Sequence, residues 1–296
     1  MAYKSGFVAL LGRPNVGKST LLNALTGHKV AIVTPKPQTT RQRIRGIVHE
    51  ARGELVLVDT PGIHRPRTRL GYHMVRSAQT AAKDVDLVWQ VVDLERGLTV
   101  EDRWVADVLR RVEAPAWLVA NKIDRVADWR VAVAPFRDLA PYAAVFPVSA
   151  LTGAGVAELK DAAFDALPEG PQMFPDDMVT DQAEDVWIAE VIREKVLELT
   201  REEVPHSVAV VVEEKVPRRA DLTYVRATIY VERESQRGIL IGEEGRMLKE
   251  IGRRARADLE TLWGHPVYLE LWVKAQRHWR DRDEWLRRFG YGLSDG

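Results

Sequence analysis

Gly12-Arg13-Pro14-Asn15-Val16-Gly17-Lys18-Ser19 fits the pattern G-x-x-x-x-G-K-[ST]. It stands between an apolar run at 7–11 and a helix-like run at 19–25. Strand, glycine turn and helix in that order force the turn's backbone N–H groups inward, at a helix end that carries partial positive charge. Such a cradle holds a nucleotide phosphate chain. Gly12, Asn15, Val16, Gly17 and Thr20 would shape it, Lys18 would reach the β- and γ-phosphates, and the Ser19 hydroxyl would ligate Mg²⁺. The alternative is a chance glycine turn, and the strand before with the helix after opposes it.

The 296 residues suit two domains, and 46% hydrophobic content is ample for two cores. Forty-three basic residues balance forty-three acidic ones, so any basic surface must be local. No cysteine is present, which excludes disulfides, thiolate zinc sites and cysteine nucleophiles and suits a reducing cytoplasm. No apolar run approaches the ~18 residues of a membrane span. Residues 1–170 alternate short apolar runs with helical patterns, which predicts a P-loop α/β domain: a mostly parallel sheet with helices on both faces. Strands are expected at 43–50 and 54–59 (a hairpin), 86–92, 116–120 and 144–148, and helices near 70–84, 99–111, 130–139 and 155–166. The proline-rich, acidic stretch 171–180 reads as a linker. Residues 181–296 follow another order: a helix at 183–202, strands at 208–215 and 224–232, a glycine-bounded loop, a helix at 245–262 and a strand at 267–274. That is a smaller α+β domain.

Further segments follow in the order that GTP chemistry requires. Asp59-Thr60-Pro61-Gly62 ends a strand, where Asp59 can hold Mg²⁺ through water and the Gly62 N–H can meet a γ-phosphate. Thr40 is placed to reach Mg²⁺ when a γ-phosphate is present. Lys18, Thr40 and Gly62 are the groups expected to serve hydrolysis. Asn121-Lys122-Ile123-Asp124 follows the strand at 116–120. An Asp carboxylate only accepts, so Asp124 suits guanine N1–H and N2–H₂, and adenine would leave it unpaired. The tetrapeptide alone is commonly a turn; its place after the other two segments argues for base recognition. Ser149-Ala150 would offer a backbone N–H to guanine O6. These segments resemble the five motifs of translation-factor-class GTPases. The position after DxxG, where Ras-type enzymes orient water with Gln, holds Ile63. His64 beside it reads more readily as a loop residue than as a base.

The second domain carries Gly242-Glu243-Glu244-Gly245 directly before an amphipathic helix. A KH domain clamps the backbone of about four nucleotides with such a loop. Leu248, Ile251, Ala255, Leu259 and Leu262 recur at helical spacing as a buried face, and Arg246, Lys249, Arg253 and Arg256 recur on another. A charge stripe alone is usually a solvated face; beside GXXG it suits a phosphate backbone. Ile241 and the loop residues themselves, with Arg277, Trp279 and Arg280, complete the expected RNA site. Trp279 could equally cap the small core.

Both halves together, GRPNVGKST, PKPQTTRQR, DTPG, NKID, SAL, GILIGEEGRMLKEIG and VKAQRHWR, resemble the Era family of bacterial GTPases with a C-terminal type II KH domain. The resemblance implies GTP/GDP and Mg²⁺ as ligands and binding to 16S ribosomal RNA near its 3′ end, with a role in maturing the small ribosomal subunit. RNA rather than DNA is the nucleic acid implied. It also implies a cytoplasmic protein with peripheral contact at the inner membrane. GTPases with a hydrophobic residue after DxxG recruit K⁺ at an Asn in the position of Asn15. One departure matters: Glu243 and Glu244 fill the variable pair, which often includes a basic residue. Two carboxylates repel phosphate, and weight shifts to Arg246 and the helix stripe. The rival reading is an RNA-binding assembly chaperone with GTP as a structural ligand.

Overall fold

Strands apolar on both faces fit only inside a sheet covered on both sides, and two runs here, GELVLVD and LVWQVVD, are buried at every residue. The computed structural model describes residues 2–219 and 221–292 and separates into two units. The first extends to Asp181 and the second begins at Gln182, with the short piece Thr68–Leu70 clustering with the second.

The first unit contains β1 (Lys4–Leu11), α1 (Lys18–Thr26), β2 (Ile44–Glu50), β3 (Gly53–Asp59), α2 (Arg69–Ala81), β4 (Leu87–Asp93), α3 (Val100–Leu109), β5 (Ala116–Asn121), α4 (Trp129–Arg137), β6 (Tyr142–Val148) and α5 (Val156–Ala166). Its six-stranded sheet has the order β2-β3-β1-β4-β5-β6, and β2 alone runs antiparallel. Leu21 and Leu22 of α1 pack with Leu159 and Phe164 of α5 on one face; Ala78, Val105 and Phe136 from α2–α4 cover the other. Pro147 sits in the edge strand β6, where a missing N–H is tolerated. The register sets Leu10 beside Asp59 and Asp93 beside Asn121. Both motif residues thus stand at the carboxyl ends of strands, where open α/β sheets bind ligands.

The segment expected as a linker lies strapped along β2 and β3. Buried Glu54 accepts hydrogen bonds from the N–H groups of Met173 (3.2 Å) and Phe174 (3.0 Å), and Val179 O accepts from Ile47 N–H (2.9 Å). A buried carboxylate needs such donors.

The second unit contains α6 (Glu184–Leu199), α7 (Val204–Ser207), β7 (Ala209–Arg219), β8 (Leu222–Val231), α8 (Glu234–Ile241), α9 (Arg246–Trp263), β9 (Val267–Ala275) and α10 (Asp283–Arg288). β8 pairs antiparallel with β7 and parallel with β9. Ile188, Val191, Val225, Ile229, Ile251 and Leu259 are among the core between helices and sheet. Two expectations are corrected, and one helix is added. Residues 234–241 form a helix rather than a loop: Gln236 Oε1 accepts from the N–H groups of Glu232 and Arg233 (3.0 Å each) and starts the turn despite Gly238. Leu262 is 54% exposed, because the last turn of α9 rolls Trp263 onto the core instead. Helix α10 was not anticipated; Trp285 within it and Phe289 just beyond pack on Tyr230.

Candidate functional site

Between β1 and α1 the chain turns through two left-handed residues, Asn15 (φ 64°) and Gly17 (φ 98°). Gly17 is the helix N-cap, and a side chain there would strike the Asn121 amide. Lys18 is buried under this loop, its Nζ donating to Gly12 O (3.2 Å) and Arg13 O (3.1 Å). Burial pushes its pKa down to about 8, with Asp59 opposing the shift. Thr20 follows in the first turn of α1 and shares the hollow with Thr34 and Thr39.

The Ser19 hydroxyl donates to Asp59 Oδ2 at 2.6 Å; the Thr40 hydroxyl lies 2.8 Å from Ser19 Oγ and 3.3 Å from the same carboxylate oxygen. Asp59 is fully buried. Burial pushes its pKa up, while Lys18 and the hydroxyls pull it back. Its second oxygen, Oδ1, has no hydrogen-bond partner. Two hydroxyls and a carboxylate with an unused oxygen form a hard-oxygen set that fits Mg²⁺. Residues forty apart in sequence are brought together here.

Gly62 lies so close to the loop that an added Cβ would stand 2.5 Å from Pro14 N. Ile63 N–H donates to Gly12 O (3.0 Å) and the side chain is 3% exposed, packed with Leu11 and Val92. It therefore fixes the segment and has no polar group for water. His64 Nδ1 lies 2.8 Å from Gly62 O, and its Nε2 lies 3.0 Å from Gln38 Nε2. The Asn15 amide nitrogen donates to Pro35 O at 2.8 Å. Both loops flanking the hollow are thus tied to it by side chains, and Gln38 had no sequence signal beyond its polarity.

Asn121 is a brace: its Nδ2 donates to Val16 O (2.8 Å) and its Oδ1 accepts from Ala150 N–H (2.9 Å). Ser149 N–H donates to Ala154 O (2.8 Å). Ser149-Ala150 was expected to offer a backbone N–H to guanine O6; both N–H groups of the pair have partners within the chain, because the buried Asn121 carbonyl and the turn closing at Ala154 claim them. Lys122, left-handed at φ 67°, donates to Asp93 Oδ2 at 2.7 Å. Asp124 stays exposed in a short turn beside Arg125 (3.4 Å). Spacing gave no sign of Arg13, which is buried between Asp102 (3.3 Å) and Asp93 (3.6 Å).

In the second unit, Gly242 (φ 70°) ends α8 and Gly245 (φ 76°) caps α9. Gly245, Lys249, Arg253 and Arg256 line a hollow against Tyr268 and Glu270 of β9. Ile241 packs toward the core, whereas Glu243 and Glu244 are exposed and pair with Arg246 (3.1 and 3.8 Å). Arg253 holds Glu250 through two bonds of 2.8 Å. Arg277 is exposed and Arg280 is tied to Glu232 (Nε, 2.9 Å). Trp279 departs from the expected RNA surface. It is fully buried, donates Nε1–H to Ser207 O (2.8 Å) and packs edge-on against Phe289 (5.2 Å), which leaves its ring no face for a base.

Residues 7–122 match the family model described as 50S ribosome-binding GTPase, and residues 203–280 match the KH domain model. The chain is 48% identical to GTPase Era of Carboxydothermus hydrogenoformans over 294 residues, 98% of this chain and 99% of that protein. It belongs to the Era family of GTPases. Two solved Era structures agree with it over 98% of this chain and 100% of theirs, each with a TM-score of 0.93. One, 40% identical, is Era in complex with MgGDPNP and nucleotides 1506–1542 of 16S ribosomal RNA; the other, 42% identical, is a substituted Era of Aquifex aeolicus bound to GDP and AlF₄⁻. The P-loop α/β domain and the type II KH domain expected from sequence are the architecture of this Era-family chain.

Proposed function

We propose that this Era-family GTPase binds GTP in the hollow between α1 and the loops at Thr40 and Gly62, hydrolyses it slowly, and uses its KH domain to hold 16S ribosomal RNA near the 3′ end during maturation of the small subunit. The observation that carries the nucleotide half is the convergence of Ser19, Thr40 and the half-satisfied Asp59 carboxylate beside buried Lys18. Bound Mg²⁺ would supply positive charge against the phosphate oxygens. Ser19 and Thr40 would offer it their hydroxyl oxygens and Asp59 would hold it. Lys18 would swing from the loop carbonyls onto phosphate, and Gly62 would present its N–H to the γ-phosphate. Asp124 would read guanine N1–H and N2–H₂. With Ile63 buried, no side chain at that position orients water, so positioning and electrostatics carry the rate. Asn15 donates its amide nitrogen to Pro35, and its amide oxygen is the donor K⁺ would use. The relative carrying 16S nucleotides supports the RNA half, with Lys249, Arg253 and Arg256 lining the KH hollow. Among the described residues no helix is long and apolar enough to cross a membrane; in this reading the protein works in the cytoplasm, and any contact with the inner membrane is peripheral.

Multiple-turnover GTP hydrolysis in Mg²⁺, in K⁺ against Na⁺ at equal ionic strength and with or without 3′-end RNA, tests the whole reading. Slow turnover, faster in K⁺ and altered by RNA, is expected. Equal rates in both salts would remove Asn15 from the K⁺ role and leave it a loop-shaping residue, and indifference to RNA would separate hydrolysis from the KH domain and favour a chaperone with GTP as a structural ligand.

A further inference from the structure

The sheet of the KH domain has one face against the helices and one away from them. On the outer face Tyr230 is covered by Trp285 and Phe289. Along the edge strand β9, no comparable aromatic cover lies over Tyr268 and Trp272 among the described residues, and they are 60% and 53% exposed. Large exposed aromatics on an edge strand are an aggregation hazard and call for an explanation.

These rings are held in place. Glu270, between them on β9, accepts from Tyr224 Oη–H (2.5 Å) through one carboxylate oxygen and from Trp272 Nε1–H (2.9 Å) through the other. Tyr268 stacks on Tyr224 with centroids 5.8 Å apart and planes 23° apart, and the Arg218 guanidinium lies 4.3 Å from the Tyr224 centroid. The donor edge of Trp272 is therefore turned to Glu270, and Tyr268 rests one face on Tyr224, while both side chains stay more than half exposed. Such pinning removes rotamer freedom before any ligand arrives.

We propose that Tyr268 and Trp272 form a base-stacking platform that carries single-stranded RNA out of the GXXG hollow and across the edge of the sheet. The proposal rests on the RNA reading of the KH domain. Continuity favours RNA over other occupants: Tyr268 and Glu270 already line the hollow shared with Gly245, Lys249, Arg253 and Arg256. Trp272 lies four residues farther along β9, about 13 Å away at strand rise, a span that a few unstacked nucleotides cover. Cations flank the path. Arg226 stands opposite Glu270 in the register, and exposed Lys274 follows Trp272 on the same face of β9. Sheet faces with protruding aromatics stack bases in other RNA-binding folds, and every base offers a π-face, so the platform would be tolerant of sequence.

The test uses the full chain saturated with a non-hydrolysable GTP analogue and Mg²⁺. Its probes are a tetranucleotide from the small-subunit 3′ end and the same RNA extended by four nucleotides at either end. Extension in one direction should tighten binding. Trp272→Ala should weaken the extended RNA by about fivefold to a hundredfold and leave the tetranucleotide unchanged, while Trp272→Phe restores most of the loss; Tyr268→Ala, at the rim of the hollow, should weaken both RNAs. If the parent gains nothing from extension, or Trp272→Ala binds the extended RNA like the parent, the platform is overturned and the hollow stands. If the parent binds neither RNA, the KH reading itself fails and takes the platform with it. Unchanged RNA affinity in Trp272→Ala with lost self-association, or with lost binding to intact small subunits, would assign the face to a second copy or to a protein and overturn the proposal.

Discussion

Lys18 shows how a single side chain couples nucleotide binding to protons. In the free protein burial holds its pKa at about 8, so the ammonium begins to lose its proton within the accessible range. A triphosphate at Lys18 favours the charged form and raises that pKa. Binding then takes up little proton near pH 7 and most of one near pH 9, and affinity falls by up to about tenfold per pH unit above the free pKa. Calorimetry in two buffers of different ionisation enthalpy measures the uptake; its absence near pH 9 would mean that Lys18 does not meet phosphate. Asp124 offers a second single-residue test. Its carboxylate meets Arg125 at 3.4 Å, a surface pair weak enough for a base to displace. Asp124→Asn should weaken GTP by roughly a hundredfold or more and shift preference toward xanthine nucleotide, read by competition with XTP.

At the scale of elements, α8, the GXXG turn and α9 act together. Gly245 stands in the left-handed helical region (φ 76°, ψ 12°), where a side chain costs about 1–2 kcal/mol, and Gly242 (φ 70°, ψ 174°) in a region essentially confined to glycine, where an added Cβ would also stand 2.9 Å from Met247 N. Gly242→Asp or Gly245→Asp adds negative charge to that strain and should abolish RNA binding with GTP affinity intact. Arg253→Ala should instead weaken all RNAs evenly. Because Glu250 already holds Arg253 by two hydrogen bonds, the slope of log affinity against log salt should change by less than about one, the value for a free cation. Trp279 belongs to a different element and a different physics. Fully buried under α10 and bonded to Ser207, it should cost about 3–5 kcal/mol of stability when replaced by Ala. Thermal melts of Trp279→Ala and of the exposed Trp272→Ala should therefore diverge, the first falling and the second holding.

The whole molecule has separate cores: two clusters on the faces of the six-stranded sheet, and one within the unit that begins at Gln182. The two clusters on the six-stranded sheet share its strands and form one cooperative unit, and the cluster of the second unit, on its own sheet, forms another. Calorimetry should resolve two transitions, and a GTP analogue with Mg²⁺ at a hundred times its Kd should stabilise only the GTPase domain, by about 2.7 kcal/mol. A single transition that shifts as one would show the two to be coupled.

The sequence by itself determined what depends on neighbours along the chain. The phosphate loop, the DxxG and NKxD turns, the GXXG turn and the apolar face of α9 each need only the right residues within about a dozen positions, because backbone sterics and helical periodicity act over that range. The order of those segments then fixed both domains and the family. Tertiary structure decided which groups remain available to a ligand. Asn121 engages the Ala150 N–H, and the core takes Ile63 and Trp279. Arg13 meets Asp102, eighty-nine residues away, and the segment after Pro171 fastens to Glu54 instead of hanging free. Burial and pairing at such separations depend on how elements pack, and a buried polar group takes whichever partner the packing brings within reach.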